Sequence, residues 1–310
     1  MAATPTAQIR VGLRVPREAI LAADVADAVR RIEDMGLDHV CVEDHVSFRS
    51  GKGIDGLVMS TALAALSRRV SVWTTIYLLP LRHPLPVARS VQTLAALAPA
   101  RFVFGVGIGG EDPHEVEVCG VDPKTRGQRM DESLTIIRGL LAGETVTFTG
   151  EFFTVTEARI VPSPEAPVPI VVGGRSDAAL HRVGRFGDGW LGIWLSSRRF
   201  AEAVAQIQQH ADTAGRGTVA WRHSLCAWVG FGDSPELARP GLAAAMEDYY
   251  HLPFEKFEKW SPYGTSEQVA EALAPYVEAG CRDFSLMGCA APGRDVVEDA
   301  AKVRRLLLTS

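Results

Sequence analysis

The sequence lacks the features that mark a disulfide-rich, membrane-spanning or nucleic-acid-binding protein. Its five cysteines are odd in number and include no CxxC pair, which argues against a disulfide scaffold and predicts a cytoplasmic protein with reduced thiols. No uncharged apolar run reaches the roughly 18 residues of a membrane span, and MAATPTAQIR at the start predicts no secretory signal. Lysine and arginine form no run and the formal net charge is −5, so we expect no nucleic-acid partner.

What the sequence does contain is ample apolar content in short, repeated segments. Of the 310 residues, 47% are hydrophobic and 22% charged, which fits a globular protein with a large core. Strand-like apolar runs alternate with segments of helical spacing, and eight such pairs follow one another. Alternating units predict a parallel sheet, and eight predict closure into a (β/α)8 TIM barrel. Two doubly wound halves are the alternative, but no long polar linker marks a midpoint.

The predicted elements follow from hydrophobic periodicity and from helix caps. The predicted strands cover residues 8–14, 39–42, 70–79, 102–106, 170–172, 189–194, 220–229 and 282–287. The predicted helices with firm bounds cover residues 24–35, 57–66, 84–97, 126–141, 198–210, 265–279 and 295–308, and a further helix follows Ser176.

Two segments interrupt this rhythm, near residues 144–168 and 230–264. The first alternates over residues 145–155, which predicts a hairpin. The second carries four prolines with a short helical pattern between them. We therefore expect a single domain over residues 1–310 with two insertions, and a glycine-rich loop over residues 47–56.

The stretch from residue 170 to residue 190, IVVGGRSDAALHRVGRFGDGW, contains the strongest local signal. An apolar strand leads into Gly173 and Gly174, which permit a sharp turn. Ser176 is a favourable N-cap for the helix that follows, and Arg175 adds a cation beside it. A glycine turn at a helix N-terminus offers N–H donors to an anion, which predicts a phosphate site for a nucleotide-like cofactor. The alternative is an ordinary strand-to-helix loop.

The run from residue 105 to residue 110, GVGIGG, formally matches the dinucleotide fingerprint GxGxxG. It lies in the fourth unit, and Glu111 and Asp112 follow where a pyrophosphate would bind, so a glycine-lined strand end beside a flat ring is the better interpretation. Glu111 and His114 could protonate a substrate, or they could belong to a solvated helix start. Because no further ligand stands at diagnostic spacing, no metal site is expected.

Three titratable residues, Glu43, Asp44 and His45, follow the second predicted strand. The C-terminal strand ends of a barrel face its active site, so these residues form a candidate acid/base set, with a solvated loop as the alternative. Arg82 could place a cation near a ligand or could only begin the third helix. Trp190 is either a core residue or a wall for an aromatic ring.

These stretches together resemble the luciferase-like monooxygenase superfamily, which includes flavin-dependent and deazaflavin (coenzyme F420)-dependent enzymes. The matching pieces are VEDHVSF at residues 42–48 and the stretches over residues 74–112, 120–155 and 170–190. The resemblance implies a (β/α)8 barrel with insertions, a flavin or deazaflavin at the C-terminal strand ends, and a homodimer.

By position, Asp44 and His45 look like the pair that contacts the ring and hydroxyls in deazaflavin-dependent members. The segment Thr74–Ile76 falls where the family often has a non-proline cis peptide under the ring. The resemblance implies catalytic roles for His45, Asp44 and Glu111. It implies cofactor-binding roles for Thr74, Thr75, Ile76, Gly107, Gly109, Gly173, Gly174, Arg175 and Ser176, and Trp190 joins this set as the candidate wall for the ring.

One departure concerns the proton donor. Some deazaflavin dehydrogenases carry a glutamate where this sequence has Gly110, and the acid here comes one residue later, as Glu111. The resemblance implies hydride transfer with F420, the preferred cofactor, or oxygen activation with FMN, on a small organic substrate. The alternatives are an FMN-dependent monooxygenase, a non-catalytic flavin-binding protein on the same barrel, and a phosphosugar barrel enzyme without a redox cofactor.

Overall fold

The computed structural model describes residues 8–15, 24–49, 51–110 and 112–309. The strands found there are β1 Arg10–Arg14, β2 His39–Val42, β3 His45–Phe48, β4 Lys52–Ile54, β5 Ser71–Thr74, β6 Tyr77–Leu78, β7 Phe102–Gly107, β8 Val146–Thr149, β9 Thr154–Ala158, β10 Ile170–Gly173, β11 Gly189–Ile193, β12 Ser224–Phe231, β13 Tyr263–Gly264 and β14 Asp283–Ala290. The α-helices found there are α1 Val25–Asp34, α2 Gly56–Leu66, α3 Pro84–Leu97, α4 Pro113–Val118, α5 Arg126–Leu141, α6 Asp177–Phe186, α7 Ser197–Thr213, α8 Pro235–Tyr250, α9 Ser266–Glu278 and α10 Val296–Thr309. Short 3-10 turns occupy Leu79–Leu81, Phe254–Lys256 and Glu258–Trp260.

Eight of these strands form the ring that the alternating pattern predicts. Their order is β10, β11, β12, β14, β1, β2, β5, β7, and a parallel pairing of β10 with β7 closes it. The (β/α)8 barrel is therefore confirmed, and the alternative of two open doubly wound halves is wrong. Strands β7 and β12 are buried along their whole length, as expected for parallel strands covered on both faces.

Several predicted elements have the observed bounds. Helices α3 and α5 begin and end at the predicted residues. The hairpin predicted in the first insertion is present as the antiparallel pair β8 and β9. At the start of α9, Thr265 and Gln268 form the predicted capping box.

Three predictions about local structure are wrong. The third predicted strand is not continuous, because β5 and β6 are separated at Thr75–Ile76. The segment predicted as a loop over residues 47–56 contains most of a hairpin, β3 with β4. The second insertion carries a 16-residue helix, α8, rather than a short one, and the helix continues through Pro240.

The chain divides into two compact units. One contains the described residues up to Val40, together with Gly192–Gln206 and the chain from Arg222 onward. The other contains Cys41–Leu191 and Ile207–Trp221. Every predicted site residue that the structure describes belongs to the second unit.

Among the helices of the described residues, none combines the length and the apolar character that a membrane span requires.

Candidate active site

Asp44 is the second residue after β2, and donors surround its carboxylate. The residue is 1% exposed. Its oxygens accept from the backbone N–H groups of Gly56 and Leu78, each at 2.8 Å. The Arg82 guanidinium donates to both oxygens, with Nη2 2.9 Å from Oδ1, and lies 4.3 Å from the centre of the Tyr77 ring. The candidate catalytic carboxylate therefore ties the end of β2 to the start of α2 and to the chain after β6.

His45 begins β3 and pairs with a buried acid that sequence reasoning did not identify. Its Nδ1 lies 3.0 Å from Oε2 of Glu115, which is 3% exposed. The other oxygen of Glu115 accepts from the backbone N–H groups of Val46 at 2.7 Å and Ser47 at 3.1 Å. The His45 ring also stacks on Phe48, with 4.2 Å between ring centres. One carboxylate thus holds both the imidazole and the backbone that carries it.

The charge state of Glu115 follows from these contacts. Burial alone would raise the pKa of its carboxyl group. The hydrogen bond and the charge of His45, together with the N–H groups of Ser47 and Val46, outweigh burial and hold the pKa below its ordinary value. Glu115 is therefore a carboxylate at neutral pH and can only accept hydrogen bonds.

A second acid on the same short helix secures the far end of β3. Asp112 is the N-cap of α4 and accepts from the backbone N–H of His114 at 3.1 Å. Its other oxygen accepts from the backbone N–H of Arg49 at 2.6 Å. The acidic start of α4 therefore fixes the β3–β4 hairpin, and with it the position of His45.

The segment Thr74–Ile76 packs against the glycines of β7. The Thr74 hydroxyl donates to the carbonyl of Gly105 at 2.7 Å, and the backbone N–H of Thr75 donates to the carbonyl of Val42 at 2.8 Å. The peptide between Thr75 and Ile76 is cis, as the family resemblance implies. This part of the predicted cofactor bed is therefore connected to the end of β2.

Two glycines leave room for the Ile76 side chain. A Cβ atom at Gly107 would overlap Ile76 Cδ1, and one at Gly173 would lie 3.2 Å from Ile76 Cγ2. Gly109 has a positive φ of 67°, and a Cβ there would lie 3.3 Å from Leu78 Cδ2. The structure thus brings the glycines at the ends of β7 and β10 together around Ile76.

The predicted phosphate loop connects β10 to α6. Ser176 caps α6, and its hydroxyl accepts from the backbone N–H of Ala179 at 3.2 Å. Gly174 has a φ of 123°, and a Cβ there would lie 2.8 Å from Ala179 Cβ. Trp190 is buried, and its Nε1 donates to the carbonyl of Gly174 at 2.7 Å. Trp190 thus acts on the loop by holding its backbone, while Arg175 is exposed.

The structure places the other candidates less centrally. Glu111 lies outside the described residues. His114 is exposed on α4, and His83, next to Arg82, is the N-cap of α3. Within the described chain, no group of three or more His, Cys, Asp or Glu side chains could hold a metal ion.

A cavity of about 540 Å³ opens beside His45. Its lining residues are His45, Val46, Gly53, Ile54, Asp55, Leu81, Arg82 and Cys119. This size is within the range of small-molecule sites. The cavity places an imidazole, a guanidinium and a carboxylate around one space large enough for a small organic molecule.

The sequence did not reveal the acids that hold the candidate site residues in position. Glu115 and Asp112 could have been noticed as acids in the first turn of a short helix, but nothing in their spacing names the hairpin as their partner. Arg82 was left between two interpretations, and the structure assigns it to Asp44. The one available signal for the role of Arg82 was Asp44 at the end of a predicted buried strand, because a buried carboxylate needs a cation.

The comparisons with known proteins identify the family of the chain. A family model described as luciferase-like monooxygenase matches residues 6–283. An uncharacterized protein of Mycobacterium tuberculosis is 36% identical over 170 residues, and the match spans 54% of the chain and 58% of that relative. An F420-dependent glucose-6-phosphate dehydrogenase of Kineococcus radiotolerans is 29% identical over 320 residues, covering 93% of the chain and 92% of that protein.

Solved structures show the same fold at lower identity. An F420-dependent secondary alcohol dehydrogenase in complex with an F420–acetone adduct superposes with a TM-score of 0.82 at 20% identity, over 96% of this chain and 98% of that one. An EDTA monooxygenase from Chelativorans superposes with a TM-score of 0.77 at 15% identity, over 97% and 94% of the two chains.

Proposed function

Because the chain belongs to the luciferase-like monooxygenase family, we propose that it is an oxidoreductase that uses coenzyme F420 to transfer hydride to or from a small organic substrate. The observation that carries the proposal is the pairing of His45 with the buried Glu115 carboxylate beside a cavity, in the same compact unit as the glycine loop. The F420-dependent relatives make F420 the preferred cofactor over FMN.

The residues of the loop fit a cofactor phosphate. The first N–H groups of a helix have no partner within the helix, and the helix dipole favours an anion there. Gly174 lets the backbone turn into α6, Ser176 caps the helix, and the cation of Arg175 lies beside them. Ile76, seated between Gly107 and Gly173, is the proposed bed of the ring.

F420, when bound, supplies the carbon that accepts or donates hydride. The protein has to orient the substrate, exclude water and move the proton that accompanies hydride transfer. We assign the proton to His45, because imidazole exchanges protons near neutral pH and the ring is held in a fixed position. We assign a positioning role to Asp44, since its carboxylate already accepts from two backbone N–H groups and from Arg82.

Fluorescence titration with F420 and, separately, with FMN tests the cofactor. We expect saturable F420 binding, and we expect the double variant Gly174→Val with Ser176→Ala to weaken it by about tenfold or more, because the variant disturbs the anion-binding helix start. Ser196→Ala is the matched control, since Ser196 caps the start of α7 in the same way but is not in the loop. Unchanged affinity in the double variant would place the phosphate elsewhere.

An FMN-dependent monooxygenase is the second candidate, and the fold of the EDTA monooxygenase is what favours it. Tight FMN binding without a response to F420 would replace the first proposal by this one. A panel of secondary alcohols and sugar phosphates, with reduction of F420 followed by absorbance, tests turnover. Bound F420 that no donor in the panel reduces would favour the non-catalytic binding protein, and absence of binding by either cofactor would favour the phosphosugar enzyme.

A homodimer is the proposed assembly, with helix α2 at the interface. This helix buries Leu57, Leu63 and Ala64 on one face. The opposite face exposes Val58 by 71% and Leu66 by 44%. A helix that is apolar on both faces is typical of burial on both sides. Light scattering should give twice the mass of the chain.

The interface has its own variant and control. Ala62 is exposed between Val58 and Leu66, and Ala62→Glu should shift the mass toward the monomer, because a carboxylate would be buried at the contact. Leu308→Glu, at an exposed apolar position of α10, is the control and should leave the mass unchanged.

We also propose a cytoplasmic location, since none of the five cysteines, all of which the structure describes, forms a disulfide, as is typical of a reducing compartment.

A further inference from the structure

Glu115 divides its two oxygens between two different tasks. Oε1 accepts from the backbone N–H groups of Val46 and Ser47, and Oε2 faces Nδ1 of His45. The carboxylate is 3% exposed and reaches β3 from a helix that lies 70 residues further along the sequence. This division fixes the orientation of the carboxylate, because two backbone donors occupy one side of it.

The division also decides where the proton of a neutral His45 ring lies. An ionised carboxylate can only accept, so Nδ1 must carry the proton that it donates to Oε2. A neutral imidazole has one N–H, and Nε2 is therefore the basic nitrogen of the ring. The stacking of Phe48 on the ring restricts its rotation about χ2.

We infer that Glu115 is the positioning residue of His45, which locks the imidazole in the Nδ1–H tautomer and presents Nε2 as the base that exchanges the substrate proton. This assignment deepens the proposed function and rests on it only for the identity of the proton being moved. An acid that orients a catalytic histidine in this way also stabilises the imidazolium form that the histidine adopts after taking a proton.

Among the described residues, the charged side chains that line the cavity and the second acid of α4 have partners other than the His45 ring. The cavity beside His45 is lined by Arg82, Asp55 and Cys119. Arg82 is paired with Asp44 and also donates to Asp55, so the guanidinium is shared between these two carboxylates. The thiol of Cys119 has its pKa raised by burial and is neutral at pH 7. Asp112 is occupied by the backbone N–H groups of Arg49 and His114.

The first experiment observes the ring directly in the unmodified protein. Nuclear magnetic resonance of protein labelled with nitrogen isotope in its eight histidines distinguishes the two tautomers by the shifts of the ring nitrogens. His45→Gln identifies the signal of His45. We expect Nδ1 protonated and Nε2 unprotonated in the neutral ring, and the opposite pattern would overturn the inference. No cofactor is needed, so this result is independent of whether the proposed function holds.

The second experiment is the substitution Glu115→Gln, which should invert the tautomer. The two backbone donors require the amide oxygen on their side, so the amide NH2 must face Nδ1 of His45. Nδ1 then has to accept, and the ring proton moves to Nε2. Glu117→Gln, at an exposed carboxylate on the same helix, is the matched control and should leave the His45 signals unchanged.

Turnover completes the test, with the substrate that the panel of alcohols and sugar phosphates identifies. We expect Glu115→Gln to lower kcat by about 100-fold or more with KM little changed, because general base catalysis contributes at least this much. A retained Nδ1–H tautomer in Glu115→Gln would refute positioning by Glu115. An inverted tautomer with unchanged kcat would show that His45 does not move the proton.

Discussion

Gly107 illustrates how a single glycine serves the site through its neighbour. The space that a Cβ would fill there is taken by Ile76 Cδ1. We expect Gly107→Ala to displace Ile76, to cost about 1–3 kcal/mol of unfolding free energy, as overpacking usually does, and to weaken cofactor binding. Urea denaturation and F420 titration measure the two effects.

Gly110, three residues after Gly107, provides the control for this substitution. At Gly110 the atom nearest to a built Cβ is Arg126 Nη1 at 4.0 Å, so Gly110→Ala should be tolerated. In an Ile76→Ala background the cost of Gly107→Ala should fall, because the overlapping atom is gone. An equal cost in both backgrounds would contradict this explanation.

Asp44 gives a second prediction at a single residue. All four nitrogen atoms that contact its carboxylate are donors, so the amide NH2 of Asp44→Asn must face one of them. We expect a loss of about 2–4 kcal/mol of unfolding free energy, because Arg82 also loses the charge that compensates its own. Asp122→Asn, at an exposed turn where the carboxylate accepts from the N–H of Lys124, should change the stability little. Equal stabilities of the two variants in urea would refute the role given to Asp44.

These residues mark how far a sequence can specify a site. His45 and Asp44 could be proposed as candidates because they follow a predicted strand, and the C-terminal strand ends of a barrel face its active site. Glu115 could not, because its partner lies 70 residues away and a buried acid looks like any acid in a first helical turn. Trp190 was identified, but its contact is with the Gly174 carbonyl, which no local pattern encodes.

At the scale of elements, hydrogen bonds to one carboxylate of α5 hold the turn of the hairpin β8–β9. Glu132 accepts from the backbone N–H groups of Glu151, Phe152 and Phe153 at the turn. We expect Glu132→Ala to cost about 1–3 kcal/mol, because three donors lose their acceptor. Hydrogen exchange at these three amides should accelerate while that of α5 remains slow.

The control for Glu132→Ala is Gln128→Ala. The Gln128 side chain reaches the same turn from α5, but its contact there is a long one, 3.5 Å from Nε2 to Oε2 of Glu151. Faster exchange in this variant, or slow exchange in Glu132→Ala, would mean that the hairpin strands alone hold the turn.

Whether an element could be predicted depended on where its stabilising contacts lie. The hairpin β8–β9 alternates apolar and polar residues, and α3 and α5 carry apolar residues at helical spacing. Each of these elements can therefore be predicted from its own local sequence. The hairpin β3–β4 is short, and acids of α4 hold its backbone, so its sequence reads as a loop. The break between β5 and β6 interrupts an apolar run that predicts one strand, and the Ile76 side chain at the break lies against Gly107 and Gly173, which are distant in the sequence.

At the scale of the whole molecule, the repeated units and their short connections were enough to predict the barrel. Eight strand–helix units predict closure of the sheet, and this count is distributed over the sequence rather than confined to any one segment. The length of helix α8 was underestimated because the four prolines in its insertion suggest that any helix there is short. Pro235 stands in the first turn, where it needs no N–H partner, and buried Leu242 and Met246 compensate for Pro240.

Two buried histidines make stability depend on pH for the molecule as a whole. Burial lowers the pKa of His39 and of His223 to about 4, from an ordinary value of 6.5. Below pH 6.5 the unfolded chain therefore binds protons that the folded chain does not, so the unfolding free energy decreases as the pH falls toward 4. We expect each histidine to remove about 1–2 kcal/mol by about pH 5.

Urea denaturation at pH 7, about pH 6 and about pH 5 measures this loss before most carboxylates titrate. Because one proton-binding group is removed in each, His39→Gln and His223→Gln should each flatten the decline, whatever their stability at pH 7. His114→Gln, at an exposed position, should leave the slope as it is. If both buried variants kept the slope of the unmodified protein, acid sensitivity would have to come from groups other than these two histidines, and the core around β2 and β12 would be open to protons.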